Sequence, residues 1–524
     1  MGMAAEGYRR LALQNGLHVI FVPMPYLHSA LLSLFVKTGP RYETDDERGI
    51  AYFVAQCIYE GSAAHPTQQA LNQAVQGVAG ELDQVVYQDH AVFWLRMHAD
   101  FLEEGARLLA DVIGRPRFAP EALERVRQIV LRDLEQLTLD NLHSLALELM
   151  SPDLPRQMIV PGELECVEAF DEATVHAHFA RFYAPGNMVL VVAGRFDEAQ
   201  AIRAIETHFG ALQADALHTE NPPTETPTAT FTPGPRWVLR PTGSPQATLL
   251  LRHWGMRFED AGALPLSFVS ALFESGWQGM GARLFRLDSE LTFTHDFSLF
   301  DIYARTSDEN LTRALGAIIA WLDRCVQHGI NEADIARVRT LARCRMEFTQ
   351  DNPAALSAWV GTRALLHPDR AGTLEDEIAR VRAITAQEVQ AVMREVFAPA
   401  RRYLAVLAPQ TRYVRKRRVE RLLHQGAAES AAVPRQAAEA LDFAGALEAY
   451  EEAAVMEPDN AEIQYGLARA SLKTGETARA VSALEAISKL EGASLWLRRV
   501  AAEPDFAPLR DLPAYRELIG GNDE

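Results

Sequence analysis

One pattern occurs twice in this chain and narrows its possible folds sharply. "DEATVHAHFARFYAP" ends at Pro185, and "TAQEVQAVMREVFAP" ends at Pro399. Each reads as an amphipathic helix that starts on Asp or Thr and stops at an aromatic-Ala-Pro sequence. Each is followed by an apolar strand, "MVLVVAG" in one case and "YLAVLAP" in the other. Upstream, both blocks open on strands, "LHVIFVP" and "ALLSLFVKTG" in the first, "WVLRP" and "QATLLLRHW" in the second. Long helical patterns fill the middle of both blocks. Strands, then helices, then a closing strand imply α+β domains, each an antiparallel-rich sheet with helices on one face. An internal duplication is the simplest account.

Two stretches separate the blocks. "HTENPPTETPTATFTPGPR" is too rich in proline for a helix or a central strand and reads as an extended linker. "RYVRKRRVERLLHQGAAESAAVPR" begins basic and dissolves into small residues. Its Arg415–Arg418 patch reads as a solvated helix face. The expected domains are 1–214 and 237–411, with linkers at 215–236 and 412–434, and a third block at 435–524. In that block Ala446, Tyr450 and Ala453 recur as Ala480, Leu484 and Ile487, thirty-four residues on. This is the tetratricopeptide period, and an all-α tetratricopeptide-like domain is expected. Two repeats fall short of the usual three, so the block either docks on its neighbours or is capped by "PDFAPLRDLPAYRELI".

A net charge of −19 over 524 residues argues against nucleic acid or an anionic membrane as the main partner. Cys57, Cys166, Cys325 and Cys344 are far apart and form no CxxC pair, which fits buried thiols in a reducing compartment. The N-terminus runs directly into strand-like sequence, its "MG" start lacks the hydroxyl residue of a myristoylation site, and no apolar run is long enough to span a bilayer. A cytoplasmic location is the expectation. No glycine-rich phosphate loop or Gly-x-Ser-x-Gly elbow appears. His90 and His98 lie eight apart in "DHAVFWLRMH", and structural or surface roles are expected for both.

The first two blocks resemble the insulinase and mitochondrial processing peptidase family of inverted zinc peptidases. "LQNGLHVIFVP", "VKTGPRYETDDERGIAYFVAQCIYEGS" and "FYAPGNMVLVVAGRFD" carry the resemblance in the first block, "GMGARLF" and "RVRAITAQEVQAVMREVFAP" in the second. In that family a helix reads His-x-x-Glu-His. Two histidines one turn apart share a face and bind one zinc, and the glutamate between them takes a proton from the metal-bound water. A glutamate on a later helix completes the ligands. Here those positions hold Tyr52, Ala55, Gln56 and, downstream, Asp133. Tyr and Gln are poor zinc ligands and Ala moves no proton, so the resemblance implies a chain with no catalytic residues and no metal site of its own.

Some members of the family pair an active chain with an inactive homologue. The resemblance thus implies a non-catalytic subunit of a heterodimeric zinc metallopeptidase, with zinc expected in the partner, peptide as substrate, and a role in precursor or leader-peptide processing. Two readings stand for "GELDQV", residues Gly80, Glu81, Leu82, Asp83, Gln84 and Val85: an edge strand to which a peptide adds, or a strand kept for the fold. The family's Arg-Tyr pair would fall on Arg286 and Phe293, with Arg286 equally readable as a surface arginine. The repeat block offers a surface for a further protein partner. The competing function is a stand-alone peptide-binding or scaffold protein with the repeats as adaptor, and an enzyme with relocated chemistry is the third.

Overall fold

The computed structural model describes residues 8–139, 142–151, 160–212, 231–276, 286–294, 297–368, 373–411, 414, 416–425, 446–447, 450–451, 453–454, 460–490 and 493–520. Of the two inferred linkers, 215–236 is described only from residue 231, and 412–434 only at 414 and 416–425. The chain forms two compact units built from interleaved stretches: 1–232 with 293–297 and 339–384, and 233–292 with 298–338 and 385–524.

The first unit is organised on a six-stranded sheet of order β1-β2-β6-β3-β5-β4. Its strands are β1 (Arg9–Ala12), β2 (His18–Pro23), β3 (Ser29–Val36), β4 (Glu81–Val86), β5 (Ala91–His98) and β6 (Met188–Gly194). Only β2 and β6 run parallel; the other neighbours are antiparallel. The near-continuous apolar run of β3, buried at seven of its eight positions, signals a central strand covered on both faces. On one face Leu32, Leu34, Leu190 and Val192 pack against helices α1 (Ile50–Ile58), α2 (Gln68–Gly77), α3 (Leu102–Gly114) and α4 (Pro120–Leu139). On the other, Ile20, Leu31, Phe35 and Val191 meet Leu356, Val360, Leu374 and Ile378. Those four residues come from the helices Pro353–Leu366 and Leu374–Ala383, far along the chain. A Cβ at Gly361 would stand 2.1 Å from the Phe35 ring, so this close approach requires glycine.

The second unit repeats the plan. Strands β7 (Arg236–Pro241), β8 (Ala247–Trp254), β9 (Arg286–Phe293), β10 (Ser298–Thr306) and β11 (Arg402–Ala408) form a five-stranded sheet of order β7-β11-β8-β10-β9. Strand for strand this matches β2-β6-β3-β5-β4, including the one parallel pair, β7 with β11. Phe273, Phe300 and Phe397 pack together on one face, with the Phe300 and Phe397 rings 5.2 Å apart. The opposite face holds a buried bidentate pair, Arg252 Nε and Nη2 to the Asp301 carboxylate at 2.7 and 2.6 Å. The fold is thus α+β with a duplicated sheet.

After β11, residues Lys416–Gln425 form a helix whose Val419, Leu422 and Leu423 are buried. Arg418, expected on a solvated face, is also buried, because it lies one turn from Leu422 on the same side. The all-α block follows. Of the six recurring positions, Ala446, Ala480, Leu484 and Ile487 sit in one core and Tyr450 packs against it. That core is completed by Phe506, Leu509 and Tyr515 from the terminal segment, which acts as the cap. The block is also tied into its unit by Glu451, which meets Arg313 at 2.8 Å.

Helix α1 is positioned by its start. Gly49 adopts φ 97°, and a Cβ there would lie 2.4 Å from the Pro161 carbonyl oxygen. The N–H groups of Gly49 and Ala51, which have no partner within the helix, donate to the Glu43 carboxylate at 2.8 and 3.0 Å. Burial raises the Glu43 pKa to about 7 against these two bonds and the nearby Arg48 charge, which lower it. A carboxyl with a raised folded-state pKa stabilises the fold below its ordinary value of 4.5 and loses that contribution as pH rises through 7. The stability of the wild type relative to Glu43→Gln is expected to fall by about 2–3 kcal/mol between pH 4.5 and pH 8. Urea unfolding of both proteins across that range checks it; a difference independent of pH contradicts it.

Candidate functional site

Helix α1 carries Tyr52 and Gln56 one turn apart on a half-buried face, with Ala55 fully buried between them. Helix α4 brings Asp133 to the same place. The Tyr52 hydroxyl donates to Asp133 Oδ2 at 3.2 Å across 81 residues of sequence. The Gln56 side chain neighbours the same phenol and acts to lower its pKa. Three of the four degenerate positions therefore come together, with Tyr52 and Asp133 joined by a hydrogen bond.

The helices are locked around this point. Arg125 on α4 reaches Glu60, just beyond α1, with Nε at 3.1 Å and Nη2 at 2.7 Å from one carboxylate oxygen. Arg127 donates to the carbonyls of Val167 and Phe170, which end the short helix Leu164–Ala169, and lies 5.6 Å from the Phe53 ring centroid. Past α1, the Ser62 hydroxyl donates to the buried Asp111 carboxylate and fixes the turn that follows. Arg125, Glu60, Arg127 and Asp111 were not singled out by the motif. Tyr59 was also missed, although its position seven residues after Tyr52 places it on the same helical face. Its hydroxyl donates to the Asp83 carbonyl at 2.5 Å, linking α1 to β4.

The chemistry available here is limited. Burial, and then the Asp133 charge, raise the Tyr52 pKa, so the phenol stays protonated and serves as a donor. A phenol held as a donor to the carboxylate, an amide and an alanine do not fit a zinc ion, and no proton acceptor stands at position 55. Among the described residues, no three His, Cys, Asp or Glu side chains are grouped to hold a metal. His90 is buried, 2.7 Å from Asp89 and stacked on Tyr87, and His98 is exposed.

The remaining sequence-derived residues lie elsewhere. Strand β4 ends its sheet and pairs only with β5. Gly80 precedes it; Glu81 meets Arg96 at 2.7 Å in solvent; Leu82 and Gln84 are half-buried; Asp83 and Val85 are exposed. Arg286 begins β9, largely exposed and 3.5 Å from Asp288, and Phe293 closes the same strand. At about 3.3 Å per residue, that separates the two by roughly 23 Å.

Comparison with known proteins places this geometry. The family described as Insulinase (Peptidase family M16) matches residues 18–158, and the Peptidase M16 inactive domain matches 169–341. A tetratricopeptide repeat matches 437–498. An uncharacterised zinc protease of Mycobacterium tuberculosis is 25% identical over 423 residues, which is 78% of this chain and 94% of the relative. The mitochondrial-processing peptidase subunit beta of Blastocladiella emersonii is 22% identical over 409 residues, 73% of this chain and 84% of that one. Among solved structures, a peptidase M16 inactive domain from Pseudomonas fluorescens superposes with a TM-score of 0.67 at 19% identity, covering 77% of this chain and 98% of the other. A protease from Helicobacter pylori gives 0.68 at 17% identity, covering 77% and 100%.

Because the three positions already converge, Tyr52→His with Gln56→His should assemble a His, His, Asp site on the existing scaffold. The double variant is expected to purify with close to one zinc per chain by atomic absorption, against a trace in the wild type. Stoichiometric zinc in the wild type, or none in the folded variant, contradicts the geometry.

Proposed function

This chain belongs to the insulinase (M16) family of peptidases, and we propose that it serves there as a non-catalytic subunit. In this reading it pairs with a homologue bearing an intact His-x-x-Glu-His helix, helps to enclose a peptide, and supplies no catalytic group. The observation that carries the reading is the Tyr52–Asp133 hydrogen bond. The positions for metal and base are replaced, while the residues that position their helix, Glu43, Gly49 and Arg127, keep their contacts. Loss confined to the reactive face, on a framework otherwise intact, is what a retained binding role leaves behind.

The free edge of β4 is the proposed peptide-binding element. Backbone pairing needs few particular side chains, so it survives loss of the metal. The zinc belongs to the partner. The likeness to a processing-peptidase beta subunit supports a two-chain assembly, and precursor or leader peptides are the proposed substrates. The repeat block, fastened to its own unit by Glu451 and Arg313, is the proposed contact for a further protein. No helix among the described residues is long and apolar enough to cross a membrane; a cytoplasmic complex is part of the proposal and rests on the free, widely spaced cysteines.

A stand-alone peptide-binding protein is the alternative, and one experiment separates the two. The chain is co-expressed with the His-x-x-Glu-His homologue from the same source and assayed with quenched fluorescent peptides. The expected result is co-elution of both chains, cleavage by the pair, and none by this chain alone. A chain that elutes alone and leaves the homologue's activity unchanged contradicts the subunit reading.

A further inference from the structure

The free edge of β4 is already occupied at its centre. The hairpin joining β4 to β5 closes with the Tyr87 N–H donating to the His90 carbonyl at 2.8 Å. In an antiparallel ladder, bonded and non-bonded pairs alternate. The register Gln84↔Phe93 and Asp83↔Trp94 then directs the backbone groups of Asp83 and Val85 toward β5. Those of Leu82, Gln84 and Val86 point away from the sheet. Gln84 is the middle of these three, and its N–H is taken: it donates to Asp83 Oδ1 at 2.8 Å. The Asp83 backbone is itself pinned, because its carbonyl accepts the Tyr59 hydroxyl. Tyr59 is in turn held edge-on against Phe93 at 6.0 Å.

We propose that Asp83 gates the β4 edge: its carboxylate occupies the donor that the middle of an added strand would use. This rests on the reading of β4 as the peptide-binding edge. The backbone groups of Leu82 and Val86 also point away from β5, but pairing through the centre requires a peptide carbonyl to displace the carboxylate from the Gln84 N–H. The gate also protects the free chain. Val85 and Tyr87 are 42% and 49% exposed beside this edge, and an open edge with apolar neighbours invites pairing between copies. A local carboxylate on the central N–H lowers that tendency without closing the strand to a better ligand.

The test uses the full chain and a fluorescein-labelled peptide of alternating valine and threonine with a lysine at each end, read by fluorescence anisotropy. Asp83→Ala removes the cap from an exposed side chain, and Asp83→Asn keeps an acceptor oxygen without the charge. Exchanging a competing hydrogen bond for an open donor should tighten Asp83→Ala about three- to tenfold, with Asp83→Asn between it and the wild type. Light scattering of the free Asp83→Ala chain should show more self-association than the wild type. Measurable binding by the wild type with the same Kd in Asp83→Ala overturns the gate and leaves the edge reading standing. Absence of binding by every variant overturns both.

Discussion

Two N–H groups at the start of α1 end on one buried carboxylate, and much of the first unit depends on that arrangement. Glu43 satisfies donors that the helix cannot satisfy itself, and Gly49 lets the chain pass against Pro161 at a distance no other residue permits. With its start fixed, α1 presents Tyr52 and Gln56 toward α4, where Arg127 and the Arg125–Glu60 pair hold the second helix in place. The Tyr52–Asp133 bond is a consequence of this framework rather than its cause. The same scaffold with two imidazoles would offer ligands to a metal; with a phenol and an amide it offers a self-satisfied polar contact. The site is therefore an intact two-helix framework whose facing side chains carry no metal chemistry.

The duplication supplies the second constraint. Each sheet has one parallel pair, the same strand order and an edge strand in the corresponding place, β4 in one and β9 in the other. The edges differ in what they expose. β4 carries Asp83 on its own Gln84 N–H, whereas β9 begins with an exposed Arg286 near Asp288. One sheet plan thus yields two unlike rims, and the first is linked to the Tyr52–Asp133 contact through Tyr59 and α1.

Much of this was legible in the residues. The resemblance put Tyr52, Ala55 and Gln56 on one helix and Asp133 on a later one, and the described contact joins Asp133 to Tyr52. The thirty-four-residue recurrence marked Ala446, Ala480, Leu484 and Ile487 as one core, which they form. What was not legible depended on long-range partners. The apolar run of β3 announces a strand covered on both faces, but nothing local says that Leu356 and Val360 provide the second cover. Arg252 and Asp301 look like surface charges until their strands pair at Arg252↔Asp301 and bury both. Arg418 belongs to the same class: its burial follows from the Leu422 face packing inward, which a basic run conceals. Asp83 was marked only as one residue of the "GELDQV" strand, and its hold on the Gln84 N–H follows from the register of β4 with β5.

Native mass spectrometry of this chain with its His-x-x-Glu-His homologue tests the central claim most directly, because it counts metal and chains together. The account predicts one zinc per pair, lost when the homologue's histidines are replaced and unaffected by replacement of Tyr52 or Asp133 in this chain. A second zinc in the pair, or a zinc that leaves when Asp133 is replaced, would contradict it.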